Sequence, residues 1–289
     1  MIQYIKRQEL DILKYDACIE KSKQSRIYGF SWYLDIVAGN WDVLVLDEYK
    51  AVLPLPWKSK YFIKYISQPL FCQQLGVFSV EEIPEELLLE MLNSIPKKFK
   101  KISLNFNSEN VFISGMEKRT NYVLELNDEY LNLLKKFSKG RKHAVKVGEK
   151  KKLLVQEAAI LDLIDLKEKF YPHISFNKPI IINLANYCLE QKKGYLLGVY
   201  NGEELLGGGF FLKSNNRIIY LFSSFNNEGR KLQAASFLIS HVIKKYENSN
   251  YVLDFEGSNI PNIGSFFKSF GASNISYHHM QFNNIPTLF

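Results

Sequence analysis

Tyr251-Val252-Leu253-Asp254-Phe255 runs directly into Glu256-Gly257-Ser258, and Phe266-Phe267-Lys268-Ser269-Phe270-Gly271 follows shortly after. The first segment reads as a strand, so two carboxylates, a glycine and a lysine gather around one strand end. That is where α/β proteins most often keep a ligand site. Upstream, Leu232, Ala235, Leu238, Ile239, Val242, Ile243 and Tyr246 recur at helical spacing and predict one helix over Gly229–Tyr246 with a single buried stripe. Asn226 or Asn227 is its expected cap, with Glu228 in the first turn. A strand at Ile218–Ser223, this helix and the strand at Tyr251–Phe255 form the crossover unit of an α/β sheet.

Working back from that unit, Tyr195–Tyr200 and Leu205–Leu212 read as strands joined through Asn201-Gly202, a strong hairpin signal. The first half repeats the order. Trp41–Leu46, Tyr49–Leu55 and Tyr61–Ile66 predict three antiparallel strands, and Ile102–Phe106 a later strand ending in polar Asn107-Ser108. Pro54 and Pro56 mark an edge or strand end, because proline cannot donate to a ladder. Helices are expected at Gln8–Lys23, with apolar positions Leu10, Leu13, Ala17 and Cys18, and at Pro84–Met91, Asp128–Lys139 and Ile160–Lys169. Strands are expected at Val111–Ile113, Arg119–Leu126, Leu153–Gln156 and Ile275–Phe282. The repetition places a domain boundary near Met116–Arg119.

At 289 residues, 46% hydrophobic and 14% aromatic, the chain is folded globular material and not a disordered tail. No apolar run reaches membrane-spanning length and no leader pattern opens the chain, which together predict a cytoplasmic protein. Cys18, Cys72 and Cys188 are widely spaced, with neither a C-x-x-C pair nor histidines at ligand spacing; the expectation is ordinary thiols and no metal. The formal charge of +7 comes from 37 Lys and Arg against 30 Asp and Glu. Much of the excess lies in Lys97–Lys101 and in Lys135–Lys152, where Arg141 is the one arginine. The second cluster is either a solvated face or a contact surface for a phosphate backbone.

Several residues could carry chemistry. Asp254 and Glu256 share one side of a strand if extended geometry persists to Glu256, and such a pair raises one pKa and yields a general base. Alternatively, Asp254 accepts loop hydrogen bonds while Glu256 faces water or Lys268. The turn Ser223-Ser224-Phe225-Asn226-Asn227-Glu228-Gly229-Arg230 could cradle a phosphate with free backbone N–H groups and Arg230, or could be an ordinary helix cap. No G-x-G-x-x-G or G-x-x-x-x-G-K-[ST] run is present. Lys268 is either a neutralising cation or a solvated helix residue before Gly271. Of His278 and His279, one at most would reach a cleft.

The order of these elements, with Leu221-Phe222-Ser223-Ser224-Phe225 entering the helix, Asp254-Phe255-Glu256-Gly257-Ser258 and Phe267-Lys268-Ser269-Phe270-Gly271, resembles the GNAT acetyltransferase superfamily, in its two-copy Fem-type (peptidoglycan aminoacyltransferase-like) branch. The resemblance implies an α+β (mixed α/β) chain of two tandem GNAT-like domains, 1–118 and 119–289, each a mostly antiparallel mixed sheet flanked by helices. It implies donor binding at Phe222, Ser223, Ser224, Asn227, Gly229 and Arg230, and chemistry at Glu256, Asp254 and Lys268. Where acetyltransferases of this superfamily have a glycine-rich loop for the pyrophosphate of coenzyme A, this chain has only Asn226–Arg230.

The expected function is therefore acyl or aminoacyl transfer from acyl-coenzyme A or aminoacyl-tRNA to an amine acceptor by direct attack. No tightly bound cofactor is expected. The acceptor is expected to be an amine-bearing small molecule or a cell-envelope precursor, with tRNA as a partner. The alternative is a non-catalytic double-GNAT-fold module binding a polyanion or a protein partner.

Overall fold

A computed structural model describes residues 1–112, 116–257 and 259–283. The chain divides into two compact units, Met1–Arg119 with the strand from Ser276 onward, and Thr120–Ile275. In the first unit β1 (Ile2–Lys6) precedes α1 (Ile12–Lys21), α2 (Ser31–Val37), β2 (Trp41–Leu46), β3 (Ala51–Lys60), β4 (Ile63–Ser67), the short β5 (Phe78–Ser79), α3 (Glu85–Asn93) and β6 (Phe99–Asn105). β1, β2, β3 and β4 pair antiparallel in that order, β5 pairs with β3, and β6 lies parallel to β4. Its core includes the fully buried rings of Tyr15, Tyr28, Tyr33, Phe78 and Phe106.

Expectations and structure differ at the start. The opening helix begins at Ile12, where Asp11 caps it by accepting from the Lys14 N–H at 3.1 Å. The residues before it form β1 and a short 3₁₀ turn. Of the expected stripe, Leu10 and Cys18 are buried, but Leu13 is 84% exposed and Ala17 is exposed too; Tyr15 and Ile19 take the buried positions instead. Pro54 and Pro56 sit inside β3, opposite Val43 and Trp41 of β2. On the other side β3 pairs with β5 at Ala51–Val52 and with β4 from Trp57, so the prolines occupy an unpaired stretch among the described residues. Val111 and Phe112 are not in a strand; the remainder of that expected strand lies outside the described residues.

The second unit opens on β7 (Glu117–Glu125), then α4 (Tyr130–Lys136), α5 (Lys139–Lys150), β8 (Leu154–Glu157), α6 (Ile160–Phe170) and α7 (Lys178–Glu190). β9 (Gly194–Asn201), β10 (Glu204–Ser214) and β11 (Arg217–Phe225) follow, then α8 (Asn227–Lys231), α9 (Ala234–Lys245), β12 (Val252–Asp254) and α10 (Pro261–Lys268). The sheet order is β7-β12-β11-β10-β9-β8, antiparallel except for β11 and β12. The chain then returns to the first unit, where the His279–Asn283 part of β13 (Ser273–Asn283) pairs antiparallel with β6. Each unit thus contains strand, two helices, three antiparallel strands, helix and a parallel strand in sequence.

The basic stretch proves to be a helix, α5, capped by Ser138, which accepts from the Arg141 N–H at 3.2 Å. Helix α7 was not read; Asn177 caps it and Pro179 lies in its first turn. The long helix is broken, because Gln233 takes a left-handed conformation (φ 60°) between α8 and α9. Beyond that break, Leu238, Ile239, Val242 and Ile243 of α9 are fully buried against Phe211, Leu253 and Phe255. Each such side chain stabilises the unit by about 1.5–3 kcal/mol relative to exposure.

Three glycines, Gly207-Gly208-Gly209, let β10 lie close to its neighbours. A Cβ on Gly207 (φ 147°) would overlap the Phe225 ring and the Ser224 carbonyl, and one on Gly208 the Leu197 carbonyl. Gly207→Ala is expected to cost about 2 kcal/mol or more in urea unfolding, through backbone strain and overpacking. Gly140→Ala, in α5 with nothing within 4 Å of its new methyl, is expected to stabilise by roughly 0.5 kcal/mol.

Candidate functional site

β11 and β12 pair over three positions only, Arg217 with Val252, Ile218 with Leu253 and Ile219 with Asp254. Beyond that point they follow different neighbours. β11 stays on β10 through the Phe225–Gly207 pair, and the Asn226 N–H donates to the Leu206 carbonyl at 2.9 Å. β12 leaves with β7: the Phe255 N–H donates to the Tyr122 carbonyl at 3.0 Å, and Gly257 (φ 49°) lies so close to Thr120 that a Cβ would overlap it. Tyr220–Phe225 therefore has no β12 partner among the described residues, which leaves an open strand edge inside a sheet.

A bulge lies in the same stretch. Phe210 faces Phe222 and Phe211 faces Tyr220, so Leu221 is the extra residue on β11. Phe222 is buried, with its ring 5.7 Å from that of Phe176, and Ser223 is half-buried. The buried Ser224 hydroxyl has no hydrogen-bond partner among the described residues.

Asp254 closes the vertex of the wedge. Its Oδ2 accepts from Arg217 at 2.7 Å, and its Oδ1 from Asn121 Nδ2 at 3.0 Å and from the Glu256 N–H at 2.9 Å. Its carboxylate thus accepts loop hydrogen bonds, as one of the two readings anticipated. Extended geometry does not persist to Glu256, which is half-buried in the left-handed region (φ 54°), so the strand-face argument for pairing the two carboxylates has no basis here. Because β11 and β12 are parallel neighbours, Ser223, Ser224 and Glu256 nonetheless share one end of the sheet. Ser258 lies outside the described residues.

The turn into α8 is already capped. Asn226 Oδ1 accepts from the Gly229 N–H at 2.6 Å, Asn227 accepts from Arg230, and the exposed Arg230 guanidinium lies 5.1 Å from the Tyr171 ring centroid. Tyr171 donates to the Phe225 carbonyl at 3.1 Å, and Lys167 lies 4.8 Å from its ring and 5.7 Å from that of Phe222. Burial pulls the Lys167 amine pKa down. Neither Lys167 nor Tyr171 stood out in the sequence.

The Phe267-Lys268-Ser269-Phe270-Gly271 segment is largely a packing device. Phe267 stacks on Phe255 at 4.7 Å, Phe270 meets Phe137 edge-on at 5.2 Å, and Gly271 (φ 81°) abuts Lys136. Arg141 locks it: Nε donates to Ser269 at 2.8 Å, Nη1 donates to Ser236, and the guanidinium lies 4.1 Å from the Phe266 ring centroid and 4.6 Å from that of Phe270. Burial lowers its pKa to about 10. Lys268 is exposed in the last turn of α10.

On α5, Lys139, Lys142, Lys146 and Lys150 recur along one face, while Ala144, Val145 and Gly148 are buried. Gly148 allows that packing, since a Cβ there would come within 2.7 Å of the Phe237 ring.

His279 and His278 serve the first unit, His279 against Asn105 at 2.8 Å and His278 near the Asn110 carbonyl at 3.3 Å. The three cysteines are buried, with no disulfide among the described residues; burial pushes the Cys18 thiol up to about 11 and Cys188 to about 12, so neither is a thiolate at neutral pH. Among the described residues no cluster could hold a metal ion, and no helix is long and apolar enough to cross a membrane.

A family model described as an acetyltransferase (GNAT) domain matches residues 132–260, which includes β11, the turn into α8 and β12. That match gives residues 132–260 a GNAT-type fold. Among solved structures the chain is similar to FemX, with 12% identity, a TM-score of 0.69 and 96% of each chain covered. It is also similar to L-PGS from Bacillus licheniformis, with 10% identity, a TM-score of 0.56, and 96% of this chain and 93% of that one covered. A third likeness is to the C-terminal domain of a provisionally assigned lysylphosphatidylglycerol synthetase from Agrobacterium fabrum, with 8% identity, a TM-score of 0.59, and 95% and 92% covered. No curated protein matches. The GNAT fold suggests an acyltransferase-type activity.

The vertex makes a direct test possible. Asp254→Asn leaves the largely buried Arg217 without its counter-charge and is expected to cost about 3 kcal/mol in unfolding free energy, against roughly 1 kcal/mol for Asn121→Ala. An Arg217→Met, Asp254→Asn double variant should lose less than the two single variants together.

Proposed function

We propose that this chain is a Fem-type acyl- or aminoacyltransferase built on two tandem GNAT-like domains, 1–118 and 119–289, and working in the cytoplasm. The observation that carries the reading is the open β11 edge. A donor carbonyl lying against Phe222–Ser224 would meet backbone N–H groups that no strand occupies, and these would stabilise the oxyanion that forms on attack. The acceptor amine attacks the carbonyl carbon, the bond to the donor's leaving oxygen or sulfur breaks, and Glu256 takes the amine proton. A non-glycine residue at φ 54° beside this edge supports that role, since such strain concentrates at functional sites. Asp254 holds the turn that presents Glu256, and Lys268 would neutralise the donor.

The donor is aminoacyl-tRNA in preference to acyl-coenzyme A. A pyrophosphate would compete with Asn226 for the Gly229 N–H, so Asn227, Gly229 and Arg230 form a poor pyrophosphate cradle. The lysine face of α5 suits a long phosphate backbone. The name lysylphosphatidylglycerol synthetase, carried by one similar structure, joins an amino acid to an envelope lipid; an amine on a cell-envelope precursor or a small molecule is the acceptor class proposed here.

The test is equilibrium binding of charged tRNA, of acetyl-coenzyme A and of longer acyl-coenzyme A at several salt concentrations. Charged tRNA should bind most tightly, and a Lys142→Gln, Lys146→Gln, Lys150→Gln variant should lower the slope of log K against log salt by roughly 2. An Arg230→Ala, Lys268→Ala variant should lose the preference for charged over uncharged tRNA. The same basic face supports the alternative, a non-catalytic module binding a polyanion. Equal binding of charged and uncharged tRNA without transfer would select it, and binding of no donor would refute the transferase.

A further inference from the structure

The first unit contains a cavity of about 260 Å³ whose walls include Lys6, Lys64, Lys98, Trp41 and Trp57. It lies at the start of β4 and β6. These strands are parallel, with Lys64 opposite Phe99, so Lys64 and Lys98 enter from adjacent strand beginnings. The donor edge described above belongs to the other unit and lies past the end of a parallel pair. Nothing in the proposed transfer uses this cavity.

The cavity's acidic groups are spoken for. Asp35 accepts from Arg7 at 2.9 and 2.7 Å and from the Trp41 indole at 2.8 Å, while Asp42 accepts from the Tyr4 hydroxyl and from the Arg7 N–H at 3.1 Å. Arg7 is therefore committed as well. The lysines retain capacity: Lys98 donates to the Tyr4 hydroxyl at 2.6 Å, and Lys64 lies 4.5 Å from the Trp57 ring centroid. No carboxylate partners either ammonium among the described residues. The Trp57 indole N–H is buried with no acceptor among the described residues.

We infer that this cavity binds a phosphomonoester, its phosphate between Lys64 and Lys98 with the Trp57 N–H as a third donor, and its organic part against the indole walls. A carboxylate ligand would favour a free arginine fork, and the only arginine lining the cavity is already paired with Asp35. Lysines bind phosphate as point charges, and Lys64 and Lys98 supply two of them at adjacent strand beginnings.

Calorimetric titration of the full chain with phenyl phosphate, benzoate and inorganic phosphate tests this. Phenyl phosphate should saturate one site per chain, inorganic phosphate should compete with it, and benzoate should bind about tenfold more weakly or not at all. A Lys64→Gln, Lys98→Gln variant should weaken phenyl phosphate about tenfold or more, and Lys21→Gln, exposed in the last turn of α1 and outside the cavity wall, should leave it unchanged. Trp57→Phe, which keeps a ring and removes the N–H, should weaken it several-fold and decides the matter if the double variant fails to fold. Absence of saturable binding, equal affinity for benzoate, no effect of Trp57→Phe, or an equal loss in Lys21→Gln would overturn the site.

Discussion

The second unit depends on one constraint: adjacent parallel strands are pulled apart by opposite neighbours. β10 keeps β11 to its last residue, and Gly207 and Gly209 ease that approach by removing Cβ atoms that would collide with Phe225, Ser224 and Tyr220, while Gly208 does the same toward β9. β7 keeps the chain after β12, through the Phe255 hydrogen bond and the close contact at Gly257. Asp254 stands where the strands diverge and binds something from each side, Arg217 of β11 and Asn121 of β7. Remove that buried carboxylate and the divergence loses its fixed point.

Such a wedge is costly on its own terms. Backbone groups inside a sheet that lack a ladder partner lose free energy that a continued strand would supply. Ser224 adds a buried hydroxyl without a partner among the described residues, and Glu256 adds backbone strain. A fold that tolerates these together places donors and an acidic group at one sheet end, where an incoming carbonyl can use them. The aromatic and basic cover from Tyr171, Phe176 and Lys167 lies over the same strand end.

Much of this architecture was legible before any coordinates, because it rests on local signals. The hairpins, the crossover and the Asp254 strand each combine alternating or helical periodicity with a turn residue, and those signals survive in the structure. The failures have physical causes. Leu13 carried a helical period yet faces solvent, because Tyr15 and Ile19 filled the core. Nothing in the composition of Gln233 announces a left-handed break, and α7 was overlooked although Asn177 and Pro179 signal its start. The partners of Asp254 were invisible, because Asn121 and Arg217 approach it only through sheet pairing. Gly207-Gly208-Gly209, a sign of close backbone approach in an apolar strand, went unread.

The central claim is that the unpaired stretch of β11 receives the donor. Amide hydrogen exchange resolved to single residues over Tyr220–Phe225, with and without a non-hydrolysable aminoacyl-tRNA analogue, tests it most directly. The account predicts that the analogue slows exchange at Phe222–Ser224, and that Asp254→Asn abolishes this protection while amides of β9 stay protected. Protection confined to α5, with β11 unchanged at saturating analogue, would contradict it.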